Sequence, residues 1–202
     1  MSTEDFTGFG KIARLSREAV ITEKLDGTNA QIFITEGGKD SPYAVAAWHD
    51  QTTRTDMVMY AGSRSRWGTL QDDNHGFAAW AQQNAETLAE LGPGRHFGEW
   101  WGAGIQRRYG QDRKRFSLFN TSRWAESRPA CCDVVPVLYQ GEFTTEAVDA
   151  AIARLRHGGS LAAPGFMQPE GVIVYHVAAN VYFKKTLDGD AEPKSMHRKP
   201  RS

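Results

Sequence analysis

At 202 residues the chain has the length of one domain with appendages, enough to bury a proper core. Apolar residues make up 40% and charged residues 24%, the balance of an ordinary globular protein. Lys plus Arg equals Asp plus Glu at 24 each, which excludes a globally basic nucleic-acid coat.

Local basic clusters remain: Arg64 and Arg66, Arg107 and Arg108, Arg113 with Lys114 and Arg115, Lys184 with Lys185, and Lys194 to Arg201. The N-terminus has neither a basic region nor an apolar one after it, so no signal peptide is expected. No apolar run approaches bilayer length. Cys131 and Cys132 are adjacent, which offers neither a disulfide framework nor a CxxC metal pattern. A reducing, cytoplasmic setting is the expectation.

In chain order, Ile12 and Leu15 suggest a short helix in a polar lead-in. Strands are expected over 19–25 and 29–35, with Asp26-Gly27 forming the turn between them. Strands follow over 43–48 and 57–63, the second running into Arg64. A helix is expected over 74–91, because Phe77, Trp80, Ala81, Leu88 and Leu91 recur at helical spacing. Asp73 or Asn74 can cap it, and Gly92-Pro93 stops it. His96 to Trp101 reads as a strand carrying Glu99 among aromatics, followed by a glycine-rich loop with Arg107 and Arg108. Short strands over 116–120 and 134–138 precede a second helix over 145–156. The last ordered unit is a hairpin of 170–175 and 181–186, and a flexible basic tail begins at Asp188. Strands succeed one another without intervening helices, which predicts an α+β fold with mainly antiparallel sheets.

Taken in order, the strand ends present Lys24, Arg64, Glu99, Phe119, Glu170 and Lys184, with glycines beside Lys24, Glu99 and Glu170. Each alone is a solvated or turn residue. Their joint order resembles the covalent nucleotidyltransferase superfamily, and RNA ligases of the nick-sealing type most of all. Glu23-Lys24-x-Asp26-Gly27-Thr28-Asn29 matches the first motif, Lys-x-Asp-Gly, in the extended form of those ligases. Ser63-Arg64, Phe97-Gly98-Glu99, Phe116-x-x-Phe119, Glu170-Gly171-Val172-Ile173-Val174 and Phe183-Lys184 are similar to the elements that follow.

The resemblance implies an ATP-grasp-like nucleotidyltransferase domain over 1–187, its sheets forming a nucleotide-binding groove, with 188–202 as tail. It also implies ATP and Mg²⁺ or Mn²⁺ as cofactors, and polynucleotide ends as substrate, RNA rather than DNA. Lys24 would attack the α-phosphate and hold AMP as a phosphoramide. A lysine amine, with an ordinary pKa of about 10.4, attacks only after losing its proton, so nearby cations, a metal or desolvation would help. Lys184, with Lys185 beside it, and a metal would supply that pressure. By the same resemblance Glu23 recognises adenine, Asn29 contacts phosphate, and Glu99 accepts from the ribose hydroxyls. Phe119 stacks on the base, Glu170 lies near the metal, Lys184 holds the α-phosphate, and Arg64 contacts the nucleotide or polynucleotide end.

Two departures stand out. Many relatives end on Lys-x-Lys, whereas here Lys184 is followed by Lys185 and Thr186, so one of two phosphate-facing lysines is missing or displaced. Sealing enzymes of this superfamily usually carry a further nucleic-acid-gripping domain, and few residues follow Thr186. A partner protein could supply that domain, and Arg107, Arg108 and Arg113 to Arg115 could replace part of its grip on phosphates. The rival readings are a DNA ligase, a capping-type transferase, or a binding module that has lost the chemistry.

Overall fold

A computed structural model describes residues 8–38 and 40–188. Two sheets organise the chain. The smaller contains β1 (Glu18–Lys24), β8 (Val137–Glu142), β9 (Gly171–His176) and β10 (Val181–Thr186), in the order β10-β9-β1-β8. The larger contains β2 (Thr28–Glu36), β3 (Ala44–Asp50), β4 (Thr55–Ser63), β5 (Gly94–Gly102), β6 (Lys114–Leu118) and β7 (Cys132–Val134), in the order β3-β4-β2-β5-β6-β7. All these pairings are antiparallel except β6 with β7, as the uninterrupted succession of strands predicts.

The alternation of apolar residues sets which face of each sheet is covered. Ala19 and Ile21 of β1, with Val172 and Val174 of β9, pack under α4 (Thr145–Gly158) through Ala151, Ile152 and Leu155. Thr144 caps α4, its hydroxyl accepting from the Ala147 N–H at 3.1 Å. On the larger sheet Ala30, Ile32 and Ile34 of β2 and Met57, Met59 and Ala61 of β4 face α1 (Phe77–Gln83) and α2 (Ala85–Leu88). The short α3 (Thr121–Trp124) adds Trp124 to the same cluster. A third cluster of Leu25, Trp101, Tyr109, Val135 and Ala163 joins the two sheets.

Several expectations change. β1 and β2 do not form a hairpin. They belong to different sheets, and Leu25-Asp26-Gly27 is the crossing between them. A Cβ at Gly27 would collide with the Trp100 carbonyl and stand 2.8 Å from the Trp101 Cβ, so the crossing needs glycine for close approach. The strand expected over 134–138 is likewise two strands in two sheets, parted at Val135-Pro136. The helix expected over 74–91 starts later and breaks once. His75 (φ 55°) and Gly76 (φ 79°) are left-handed, which delays its start. Asn84 leaves helical geometry and turns its amide onto the Trp80 carbonyl at 2.8 Å, the local competition that makes Asn a helix interrupter. Asp73 still caps the start, accepting from the N–H groups of Ala78 (2.7 Å) and Ala79 (2.9 Å). No helix forms around Ile12 and Leu15, which are exposed. Beyond Asp188 the expected tail lies outside the described residues, among which no helix is long and apolar enough to cross a membrane.

Candidate nucleotide-binding site

β1 ends at Lys24, and register decides what surrounds it. Lys24 lies opposite Gly171, Thr22 opposite Ile173, and Lys184 opposite Ile173 from the other side. Directly opposed residues share a face, so Lys24, Thr22, Ile173, Lys184 and Thr186 lie on the face of the small sheet away from α4. Glu23, Val172 and Lys185 lie on the α4 face. Gly171 must be glycine here, because a Cβ would run into the Lys185 carbonyl and stand 2.7 Å from the Thr186 Cα.

Lys24 donates its Nζ to Glu170 Oε2, with side chains 22% and 12% exposed. The pair is therefore largely but not fully desolvated. Across the crossing, Glu99 sits opposite Asn29 on the open face of the larger sheet. Its Oε1 accepts from the Gly27 N–H at 3.1 Å and its Oε2 from Asn29 Nδ2 at 2.9 Å. Burial pushes the Glu99 carboxyl up to about 7, and the nearby Glu170 charge pushes the same way. The Asn29 amide, Lys24 and the Gly27 N–H pull it down.

The remaining site residues follow from the ladder. Ser63 opposes Ala30, so Arg64 emerges beside Asn29, exposed, at the same end of the sheet as Glu99. The β5–β6 ladder continues past Leu118, with Phe119 N–H donating to the Phe97 carbonyl at 2.9 Å. Phe119 is 38% exposed.

Glu23 is 1% exposed, and strand alternation sends it away from Lys24. Its Oε2 accepts from the N–H groups of Leu161 (2.8 Å) and Ala162 (3.1 Å), while Oε1 is buried without a partner in hydrogen-bond geometry. Burial raises its carboxyl above the usual range, against the pull of the Ser160 hydroxyl and the two N–H groups. Lys185 leaves the site altogether and pairs with Asp149 of α4 at 2.6 Å.

Two residues that hold the site were not recognised as such in the sequence. Arg107 Nε donates to Asp26 Oδ2 at 2.9 Å, and its NH1 donates to the Gln168 carbonyl at 2.9 Å. It thereby clasps the segment after Lys24 to the segment before Glu170, so it is not the free phosphate contact expected of it. Tyr109 accepts from the Asp26 N–H at 2.9 Å through its hydroxyl, and burial pushes that phenol up. The loop reaches both partners by coiling tightly: Gln106, Arg108 and Tyr109 all have positive φ. Among the other loop cations, Arg115 pairs with Asp133 and Lys114 donates to the His75 carbonyl, leaving Arg108 and Arg113 exposed.

The model of the family described as RNA ligase matches residues 17–186, from the residue before β1 to the last residue of β10. The chain belongs to the RNA ligase family. This RNA ligase homologue also shares its fold with solved structures of the Naegleria gruberi RNA ligase. An apo point mutant of that ligase matches at a TM-score of 0.56 and 18% identity, covering 85% of this chain and 50% of that one. A second mutant, with AMP and Mn, matches at 0.57 and 18%, with the same coverage. A third, with ATP and Mn, matches at 0.53 and 17%, covering 86% and 51%. The chain thus spans about half the length of the Naegleria protein. No curated protein matches the sequence.

A divalent cation fits the donors present only in part. Among the described residues no group of three or more His, Cys, Asp or Glu side chains converges. Glu170 offers a carboxylate of the kind Mg²⁺ takes when substrate phosphates complete its shell.

Proposed function

We propose that the chain is the adenylating unit of an ATP-dependent RNA ligase, with Lys24 as nucleophile. The observation that carries the reading is the half-buried Lys24–Glu170 contact, which lies on the same sheet face as Lys184. The contact holds the Lys24 amine in place, and partial desolvation, the Lys184 cation and a metal would favour loss of its proton. The freed amine attacks the α-phosphorus of ATP; an N–P bond forms, the bond to pyrophosphate breaks, and AMP stays on Lys24. AMP then passes to a polynucleotide 5′-phosphate, and a 3′-hydroxyl displaces it as the strands join.

The other roles are those the resemblance implies, and the chemistry of the side chains suits them. Lys184, on the same sheet face as Lys24, would hold the α-phosphate where charge builds, and such positioning is most of what phosphoryl-type transfer requires. Glu99 accepts from the vicinal ribose hydroxyls, and Asn29, now bonded to Glu99, orients it beside the phosphate path. Phe119 offers an exposed ring for the base, and Arg64 a cation for the polynucleotide end. The unpartnered Glu23 Oε1 is an acceptor of the type that the adenine exocyclic amine satisfies. Glu170 would hold Mg²⁺ or Mn²⁺, and such an ion supplies charge neutralisation on the phosphates.

ATP labelled on the α-phosphate, incubated with the chain and Mg²⁺ or Mn²⁺, should leave label on the denatured protein. Absence of label, or equal label on Lys24→Ala, sinks the reading. GTP labelled in preference to ATP would indicate a capping-type enzyme, and sealing of nicked DNA over nicked RNA a DNA ligase.

A further inference from the structure

The open face of the larger sheet carries a second organised feature beyond the Lys24 site. Phe33 of β2, Tyr60 of β4 and Trp67 form one aromatic cluster, with centroids 5.5–6.0 Å apart and Phe33 nearly parallel to both others. Arg95 of β5 lays its guanidinium over Phe33 at 4.1 Å and over Trp67 at 5.4 Å. It is held there by a 3.0 Å bond from its NH1 to Gln31 Oε1. Phe33 opposes Tyr60 and Arg95 in register, and Gln31 opposes Phe97, so all of these stand on the face that carries Asn29 and Glu99. Trp67 folds back over Gly62 through a bridge, where a Cβ would stand 2.7 Å from the indole.

No helix of the described fold packs on this face, and Arg95 and Phe97 are exposed, Phe97 by half. A lone aromatic on an open sheet is ordinary, but three contacting rings capped by an oriented, solvent-facing guanidinium form a stacking surface with positive charge. Along β5, Arg95, Phe97 and Glu99 lie on one side at successive two-residue steps of about 7 Å. The cluster is therefore continuous with the Glu99 end of the site.

We infer that this cluster is a stacking platform for unpaired nucleobases of the polynucleotide strand whose end reaches Lys24. Flat aromatic and guanidinium surfaces accept any base by stacking, while Arg95 and the exposed Arg64 balance the backbone charge. The direction from cluster to Lys24 rests on the ligase reading above; the base-binding surface itself does not.

The test compares a fluorescent oligouridylate with an abasic ribose-phosphate strand of equal length, by anisotropy, without ATP and across a salt series. The wild type should bind the base-bearing strand about tenfold more tightly, with a difference that survives added salt, since stacking releases no counterions. Arg95→Ala and Trp67→Ala should reduce the difference, and Trp67→Phe should retain most of it. Label on Lys24 should be unchanged in Arg95→Ala. Equal binding of the two strands overturns the inference, as does wild-type discrimination in Arg95→Ala, a substitution at an exposed position. Discrimination in a protein that takes no label would sink the ligase chemistry and leave the platform. Label without discrimination would do the reverse.

Discussion

Glu99 is the group in the site whose titration should register near neutrality. Burial lets the folded protein keep its proton to about 7, whereas an unfolded chain releases it near 4.5. Between those values the folded state binds more protons, so stability falls as pH rises from about 5 to 8, by up to ~3 kcal/mol. Glu23 is raised by burial too and adds a slope of the same sign. His96, lowered by burial, gives the opposite slope in wild type and variant alike, so it cancels in their difference. Glu99→Gln should therefore lose stability relative to wild type at pH 5 and gain on it by pH 8. Urea unfolding at both values checks this, and parallel curves would refute it. A second contrast at this scale concerns neighbours. Lys184→Ala should abolish adenylate label, whereas Lys185→Ala should keep it. The Lys185–Asp149 pair is exposed on the far face and worth about 0–1 kcal/mol. Loss of label in both would mean that strand alternation does not govern this edge.

At the scale of elements, the crossing from β1 to β2 does the positioning. Gly27 lets the chain pass against Trp100 and Trp101 while its N–H holds Glu99. Gly27→Ala forces the backbone off that path and should cost about 1–3 kcal/mol of stability with a larger loss of label. A fully active Gly27→Ala protein would show that the close approach is incidental. Arg107→Ala removes the clasp between Asp26 and Gln168. It should lower the labelling rate without changing where label lands, and Arg107→Lys should restore little, because an ammonium cannot make both contacts in fork geometry. Titration of the ATP dependence would separate a positioning loss in rate from a loss of nucleotide affinity.

For the whole molecule, the site exists only where two sheets meet. Lys24, Glu170 and Lys184 come from the smaller, Asn29, Glu99 and Phe119 from the larger or its ends, and Leu25, Trp101, Tyr109, Val135 and Ala163 bind them together. A nucleotide bridging both should stabilise the fold as a unit. In Lys24→Ala, which cannot form the covalent adduct, ATP at about 100 times its Kd should add ~2.7 kcal/mol. It should also protect amides of both sheets from exchange together. Protection confined to one sheet would place the nucleotide elsewhere.

Side-chain alternation and short polar–glycine words are local properties, so the chain read alone specifies most of the strands, the antiparallel character and the order of the site motifs, though not the short α3 nor the absence of a helix at Ile12 and Leu15. It also specifies that Lys184 and Lys185 face opposite ways, since a strand leaves them no choice. It did not reveal that Asp26-Gly27 joins two sheets instead of closing a hairpin. A tight glycine turn is the same word in both settings, and only the packing of Trp100 and Trp101 against it distinguishes them. Nor did it reveal that Arg107 braces the site, a role that depends on a coiled loop bringing residue 107 to residue 26. The burial that raises Glu99, and the roofing of Phe33, Tyr60 and Trp67 by Arg95, likewise come from strand register. The ordered motifs and the resemblance they carry named the residues; long-range pairing decided which of them meet.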